Sequence, residues 1–172
     1  PVNDPASISA PVVALTETNA VLTASGTLTI TDVDSATTFI AQTNVAGSGG
    51  YGTFTVNADG TWTYATNNAQ NQFIAGQVYT DTITVASADG TTSTITVNIT
   101  GTNDAASISA PVVALAETNA VLTTDNTATS GTLTITDVDS ATTFIAQTNV
   151  DGSNGYGKFT VNADGTWTYA TN

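Results

Sequence analysis

Apolar and polar residues alternate along most of this chain, and threonine usually takes the polar place. Thr61-Trp62-Thr63-Tyr64-Ala65-Thr66 and Thr94-Ile95-Thr96-Val97-Asn98-Ile99-Thr100 repeat every second residue. That period fits the pleat of a strand and not the turn of a helix. No segment carries an amphipathic helical repeat of useful length. The alternation predicts strands over residues 7–15, 26–31, 38–43, 52–57, 61–66, 79–87 and 92–100. Leu28 and Ile30, Phe54 and Val56, Trp62 and Tyr64, Ile83 and Val85, and Ile95, Val97 and Ile99 are expected to face inward. The threonines between them are β-branched, which suits a strand, and polar, which suits a wet outer face.

The punctuation agrees. Asn57-Ala58-Asp59-Gly60 reads as a hairpin turn with Gly60 at the place needing positive φ, and Ala88-Asp89-Gly90 turns the last hairpin in the same way. Pro11 has no N–H to donate, so it marks a break where an edge strand can change sheets. Seven strands without a helix give an all-β fold with the strand count of an immunoglobulin-like (Ig-like) β-sandwich.

The pattern then starts again. Residues 5–22 read PASISAPVVALTETNAVL and residues 105–122 read AASISAPVVALAETNAVL, so the chain restarts after Gly101-Thr102-Asn103-Asp104. This predicts tandem modules, 1–104 and 105–172, each organised around the junction tetrapeptide. Ala24-Ser25-Gly26 is replaced in the second copy by the longer Thr124-Asp125-Asn126-Thr127-Ala128-Thr129-Ser130-Gly131, an insertion at a loop where length costs little. The second copy stops at Asn172, the counterpart of Asn67, and so lacks its last two strands. Either a neighbouring chain supplies them by strand complementation or the structural unit is phased differently from the repeat.

Charge narrows the chemistry. Fourteen acidic residues face one basic residue, Lys158, for a net charge of −13. Such a chain cannot displace counterions from phosphates, which excludes a nucleic acid or anionic membrane partner. Cysteine, methionine and histidine are absent. Oxygen is then the remaining metal donor, and carboxylates with carbonyls suit calcium and not zinc. No apolar run approaches the ~20 residues of a membrane span. Acidic, cysteine-free composition rich in Thr, Asn and Gly points to an extracellular bacterial protein.

Up-and-down strand order assigns each acid to an end of the module. Asn3, Asp4, Asp32, Asp34 and Asp89 fall at the N-terminal pole, with Asp59 in a turn there; Glu17, Asp81, Asn103 and Asp104 fall at the C-terminal pole. The next module brings Asp137 and Asp139 to the same junction. Carboxylates gathered without Lys or Arg repel one another, and a calcium ion with its six to eight oxygen ligands removes the conflict. Asp81 has the parity of Ile83 and Val85, an expensive direction for an uncompensated charge, and is therefore expected to be a ligand. Asp59 and Asp164 read as turn formers, and solvated loop acids remain the alternative for the whole set.

The motifs GTLTITDVDS, NADGTWTY and YTDTITVASADGTTSTITVNITGTND together resemble the VCBS repeat of giant RTX-type bacterial surface adhesins, which is similar to cadherin-like domains. Within the wider cadherin-like pattern, Glu17-Thr18-Asn19 resembles the glutamate motif after the first strand and Asp32-Val33-Asp34 the paired aspartates after the second. Asp89 resembles the aspartate after the sixth strand, and Asn103-Asp104 the calcium-binding linker. The resemblance implies interdomain calcium, a role in cell adhesion or biofilm formation, and secretion to the cell surface by a one-step export system. It departs at residues 67–78, where the acidic motif that cadherins carry before the sixth strand has no counterpart. Asp81 stands in for it, or the junction holds fewer ions.

Other chemistry fares worse. Asp32 and Asp34 lie two apart on one strand end and would point the same way, which does not flank a glycosidic bond, so no enzyme is expected. Gly47-Ser48-Gly49-Gly50-Tyr51-Gly52 lacks the lysine and helix of a phosphate loop. Trp62, Tyr64, Trp167 and Tyr169 read as core and not as a sugar platform. The expected function is a structural extender of a large adhesin, stiffened by Ca2+ at module junctions, with neighbouring modules as its partners. Two alternatives stay open: a glycan- or protein-binding module acting through residues 47–52 or 124–130, and a strand-complemented subunit of an extracellular filament.

Overall fold

The computed structural model describes residues 2–125 and 132–172, and the chain divides into two units, Pro1–Asn103 and Asp104–Asn172. The first unit holds β1 (Ser7–Ile8), β2 (Val12–Thr16), β3 (Thr23–Thr27), β4 (Ile30–Thr31), β5 (Gln42–Ala46), β6 (Gly52–Val56), β7 (Thr61–Thr66), β8 (Val78–Ala86) and β9 (Thr92–Thr100). One sheet runs β3-β7-β6-β5 and the other β2-β9-β8, with the short pair β1-β4 beside them. Where the alternation is strict, the strands begin and end where it does. Val13 pairs with Val97 in the parallel β2-β9 ladder, and Ile83 faces Ile95 in the antiparallel β8-β9 ladder.

The expected first strand is two. Pro11 ends the β1 register, its carbonyl accepts from Thr96 N–H (3.0 Å), and β2 resumes in the other sheet. The expected second strand begins earlier, at Thr23, and is interrupted before β4. The expected strand over 38–43 moves to β5, because Phe39 makes only an isolated bridge to Ser87 and pairing with β6 is set by the loop that closes on Gly47 and Gly52.

The predicted inward residues form the core, except that Ile30 is only partly buried against it. Phe54, Val56, Trp62, Tyr64, Val85, Ile95, Val97 and Ile99 are buried, with Leu28 and Ile83 beside them. Periodicity did not mark Phe73, which is also buried and stacks on Tyr79 at 3.8 Å between ring centroids, with Tyr51 edge-on at 4.9 Å. Residues 67–77 carry no strand period, so this aromatic group is invisible to alternation. Gly60 turns β6 into β7 at φ +89, and Asp59 accepts from Thr61 N–H (3.0 Å) and Thr61 Oγ1 (2.6 Å), which makes Asp59 a turn former.

The second unit contains β10 (Ser107–Ile108), β11 (Thr123–Asp125), β12 (Ile135–Thr136), β13 (Gln147–Asp151), β14 (Gly157–Val161) and β15 (Trp167–Thr171). Its sheet β11-β15-β14-β13 repeats β3-β7-β6-β5. Within the insertion, residues 126–131 lie outside the described residues. Two of the substitutions that distinguish the copies form one cross-strand pair: Asp151 and Lys158 are opposite each other and 2.5 Å apart.

Candidate metal centre

Glu17, Asp32, Asp34, Asp89, Asp137 and Asp139 are each positioned by the run-out of a strand. At the N-terminal pole of the first unit, the turn after β4 folds back so that Asp34 N–H (3.0 Å) and Ser35 N–H (2.8 Å) both donate to Asp32 Oδ1. Asp34 Oδ2 accepts from Asp4 N–H at 3.1 Å, and Ser35 Oγ donates to Asn3 Oδ1 at 2.9 Å. Asn3 Nδ2 in turn donates to Asp89 Oδ2 at 3.2 Å. Asn3, Asp4, Asp32, Asp34 and Asp89 therefore belong to one network, drawn from the chain start and two separate turns.

Within that network the acids are not equivalent. Asp89 receives Ser87 Oγ, Thr91 N–H (2.9 Å), Thr91 Oγ1 (2.9 Å), Ala6 N–H (3.0 Å) and Asn3 Nδ2. The Ser87 hydroxyl, followed by the Thr91 amide, holds its carboxyl well below the usual carboxylate range. With its oxygens committed to five donors, Asp89 is a latch that ties the chain start to the β8-β9 turn. Asp32 differs, since Oδ2 is buried and accepts no hydrogen bond.

At the C-terminal pole, Glu17 follows β2 and keeps the ladder going, its N–H donating to Thr100 O at 2.8 Å. Its side chain is 2% exposed. Thr102 Oγ1 donates to Glu17 Oε2, while Oε1 is buried without a donor. A buried carboxylate oxygen lacking any donor is costly unless something positive reaches it. Thr102 was missed because the junction tetrapeptide was read only for Asn103 and Asp104. Asn103 is exposed beside it.

Asp81 does not join Glu17. It is fully buried in β8, where Tyr64 O–H donates to Oδ2 (2.7 Å) and Gly49 N–H to Oδ1 (2.7 Å). The expected inward parity is what the structure shows. A phenol and a loop amide are the hydrogen-bonding partners of this carboxylate. Burial, then Asp81, pushes the Tyr64 hydroxyl far above its ordinary range.

The second unit repeats the N-terminal arrangement. Asp139 N–H (3.1 Å) and Ser140 N–H (2.8 Å) donate to Asp137 Oδ1, and Asp104 N–H donates to Asp139 Oδ2 at 3.2 Å. The Asp139 amide leads the contacts that hold the Asp137 carboxyl below its usual range. Glu117, the counterpart of Glu17, is exposed, because the run from β9 to Thr102 that buries Glu17 has no counterpart among the described residues.

Among the described residues no three acidic side chains are already gathered into a metal-holding group. The donor chemistry nonetheless fits a hard cation: Glu17 Oε1 and Asp32 Oδ2 are orphaned oxygens at opposite ends of the unit. No helix among the described residues is long and apolar enough to cross a membrane. The family model for the bacterial cadherin-like domain matches residues 3–101. No curated protein matches the chain.

Proposed function

The chain belongs to the bacterial cadherin-like domain family, and from that premise we propose that it is an extender segment of a large extracellular adhesin whose modules are stiffened by calcium. The observation that carries this reading is Glu17, buried to 2% with Oε1 lacking a donor at the end of the module. Calcium would supply a hard positive charge to such oxygens. At the C-terminal pole, Glu17 would hold it, with Asn103 next in the chain to Thr102, whose hydroxyl donates to Glu17. At the N-terminal pole of the first unit, Asp32, Asp34, Asp4 and Asn3 would hold it, with Asp89 fixing the frame. Asp104, Asp137 and Asp139 are their counterparts in the second unit.

The chain's own residues do the positioning. Asx-type turns lock the Asp32 and Asp137 carboxylates by backbone amides before any ion arrives. Charge repulsion among Asp4, Asp32 and Asp34 at the N-terminal pole, and the donor-less Glu17 Oε1 at the C-terminal one, leave both under-stabilised until a cation is taken up. An array of such modules then becomes a rod in calcium and a string of loose beads without it. Presentation of a distal binding domain in cell attachment or biofilm, at the bacterial surface, is the role that follows. No catalytic step is assigned, since Asp32 and Asp34 share one turn and cannot flank a substrate.

Small-angle scattering of this chain tests the stiffening. The maximum dimension is expected to lengthen and the distance distribution to sharpen in millimolar calcium relative to chelator, with magnesium ineffective. An unchanged curve would overturn the rod.

At residues 47–52 the loop-binding reading gains no support from the aromatics. Tyr51, at the loop 47–52, packs on Phe73 and Tyr79. Its counterpart Tyr156 is 73% exposed, and counterparts of Phe73 and Tyr79 are absent from the sequence given.

A further inference from the structure

The strands nearest the entry and the exit of the first unit lie side by side. β2 pairs in parallel with β9, from Val12 opposite Thr96 to Thr16 opposite Thr100, although β3 to β8 lie between them in sequence. The seam runs past both ends of this ladder. Ser93 Oγ donates to Ser9 O (2.8 Å) and Thr96 N–H to Pro11 O (3.0 Å) at one end, and Glu17 N–H donates to Thr100 O (2.8 Å) at the other. Thr102 Oγ1 then reaches both the carboxylate and the carbonyl of Glu17. Val97 and Ile99 are fully buried under the seam, with Val13 and Leu15 packed against the core, so water reaches its bonds from the outer face only. β9 cannot follow β2 if β2 is drawn out. β8 pairs along its other edge, and Gly101 N–H donates to Gln77 O at 2.9 Å.

We propose that the β2-β9 seam is the force-bearing element of the first unit, a shear clamp that resists a pull along the chain. Because the two strands are parallel, the chain reaches β2 at one pole and leaves β9 at the other. A pull on the two ends of the unit therefore slides one strand along the other, and every bond of the seam is strained at once. Antiparallel strands would be entered and left at the same pole, and their bonds would open one after another. The sheet β3-β7-β6-β5 lies off this path. β1 meets the pull first, through its short ladder with β4 and the bond from Ala6 N–H to Asp89. Pro11 separates β1 from β2, so loss of β1 leaves β2 seated. The inference rests on the extender reading for its purpose, since a spacer that presents a distal domain carries whatever load that domain meets. The clamp itself needs no ion, because the chain alone makes the bonds of the seam.

The test is single-molecule force spectroscopy of the full chain, in chelator, with two attachment geometries. The sequence has no cysteine, so a pair introduced at exposed positions gives unique handles. Val2→Cys with Ala105→Cys loads the seam in shear, whereas Thr18→Cys with Ala105→Cys puts both handles at the C-terminal pole and peels the same seam bond by bond. In both, roughly 300 Å of extended chain is released, which identifies the first unit. At one pulling rate, shear is expected to need a several-fold higher force than peeling. Val13 shares with Pro11 and Glu17 the parity that faces β9, so Val13→Pro removes a ladder N–H and should lower the shear force. Tyr64→Phe, which weakens the core away from the seam, should leave that force nearly unchanged. Equal forces in the two geometries would overturn the clamp, whatever calcium does to the scattering curve. A shear force lowered by Tyr64→Phe and unmoved by Val13→Pro would overturn it too, by placing the resistance in the core. Should Val13→Pro fail to fold, the comparison of geometries decides by itself.

Discussion

Tyr64 donates its phenolic hydrogen to Asp81 Oδ2 across 2.7 Å inside the first unit, joining the two sheets through a polar bond in an otherwise apolar core. Gly49 N–H completes the carboxylate's shell and pins the loop after β5. Removing the Tyr64 hydroxyl leaves Asp81 Oδ2 without its donor in the core, and removing the Asp81 carboxylate leaves the Tyr64 hydroxyl without its acceptor there.

Tyr64→Phe is therefore expected to destabilise the first unit by about 1–3 kcal/mol, and Asp81→Ala by roughly 2–4 kcal/mol, since the latter strands both a hydroxyl and an amide. Denaturant melts followed by Trp62 fluorescence measure this. A loss under about 0.5 kcal/mol for Asp81→Ala would show that the bond contributes nothing net.

Asp89 makes a prediction about acid. Its folded-state pKa is depressed by Ser87 and Thr91, so its contribution is present above the unfolded value near 3.9 and is lost as pH falls through the folded one. In chelator, the first unit should lose stability as pH drops from about 5 towards 2, and Asp89→Asn should flatten that slope. An identical acid slope in the variant would remove Asp89 from the latch.

The near-identical segments Val12–Thr16 and 112–116 give a third prediction. β2 amides paired with β9 should exchange at least ~100-fold more slowly than those of 112–116. Equal rates by nuclear magnetic resonance would mean that these residues form a strand without a partner.

That pair also shows what a sequence can and cannot say here. Alternation in β6, β7, β8 and β9 marked the core, because burial on one face of a strand leaves a period of two. It marked β1 and β2 as one strand over 7–15 and could not show that β2 pairs in the other sheet, with a partner some eighty residues away in the chain. Phe73 escaped for a related reason: it caps the sandwich from an irregular loop, held by Gln70, and loops carry no period. Among the site residues, the poles followed from strand order, so Asn3, Asp4, Asp34 and Asp89 came together as expected. At Asp81 and Asp89, strand order locates a carboxylate without revealing the hydroxyls and amides that reach it. Their neighbours Tyr64, Ser87 and Thr91 were in plain view, but a sequence does not show which lone pairs are already taken.

The calcium claim is tested most directly by the thermal midpoint of the first unit in chelator, in calcium and in magnesium. Calcium at ~100 times its dissociation constant adds roughly 2.7 kcal/mol to the folded state. That should raise the midpoint by several degrees, selectively over magnesium, with Glu17→Gln and Asp32→Asn each removing part of the rise. The same midpoint in all three solutions would contradict the account, leaving Glu17 Oε1 and Asp32 Oδ2 as buried oxygens that no ion relieves.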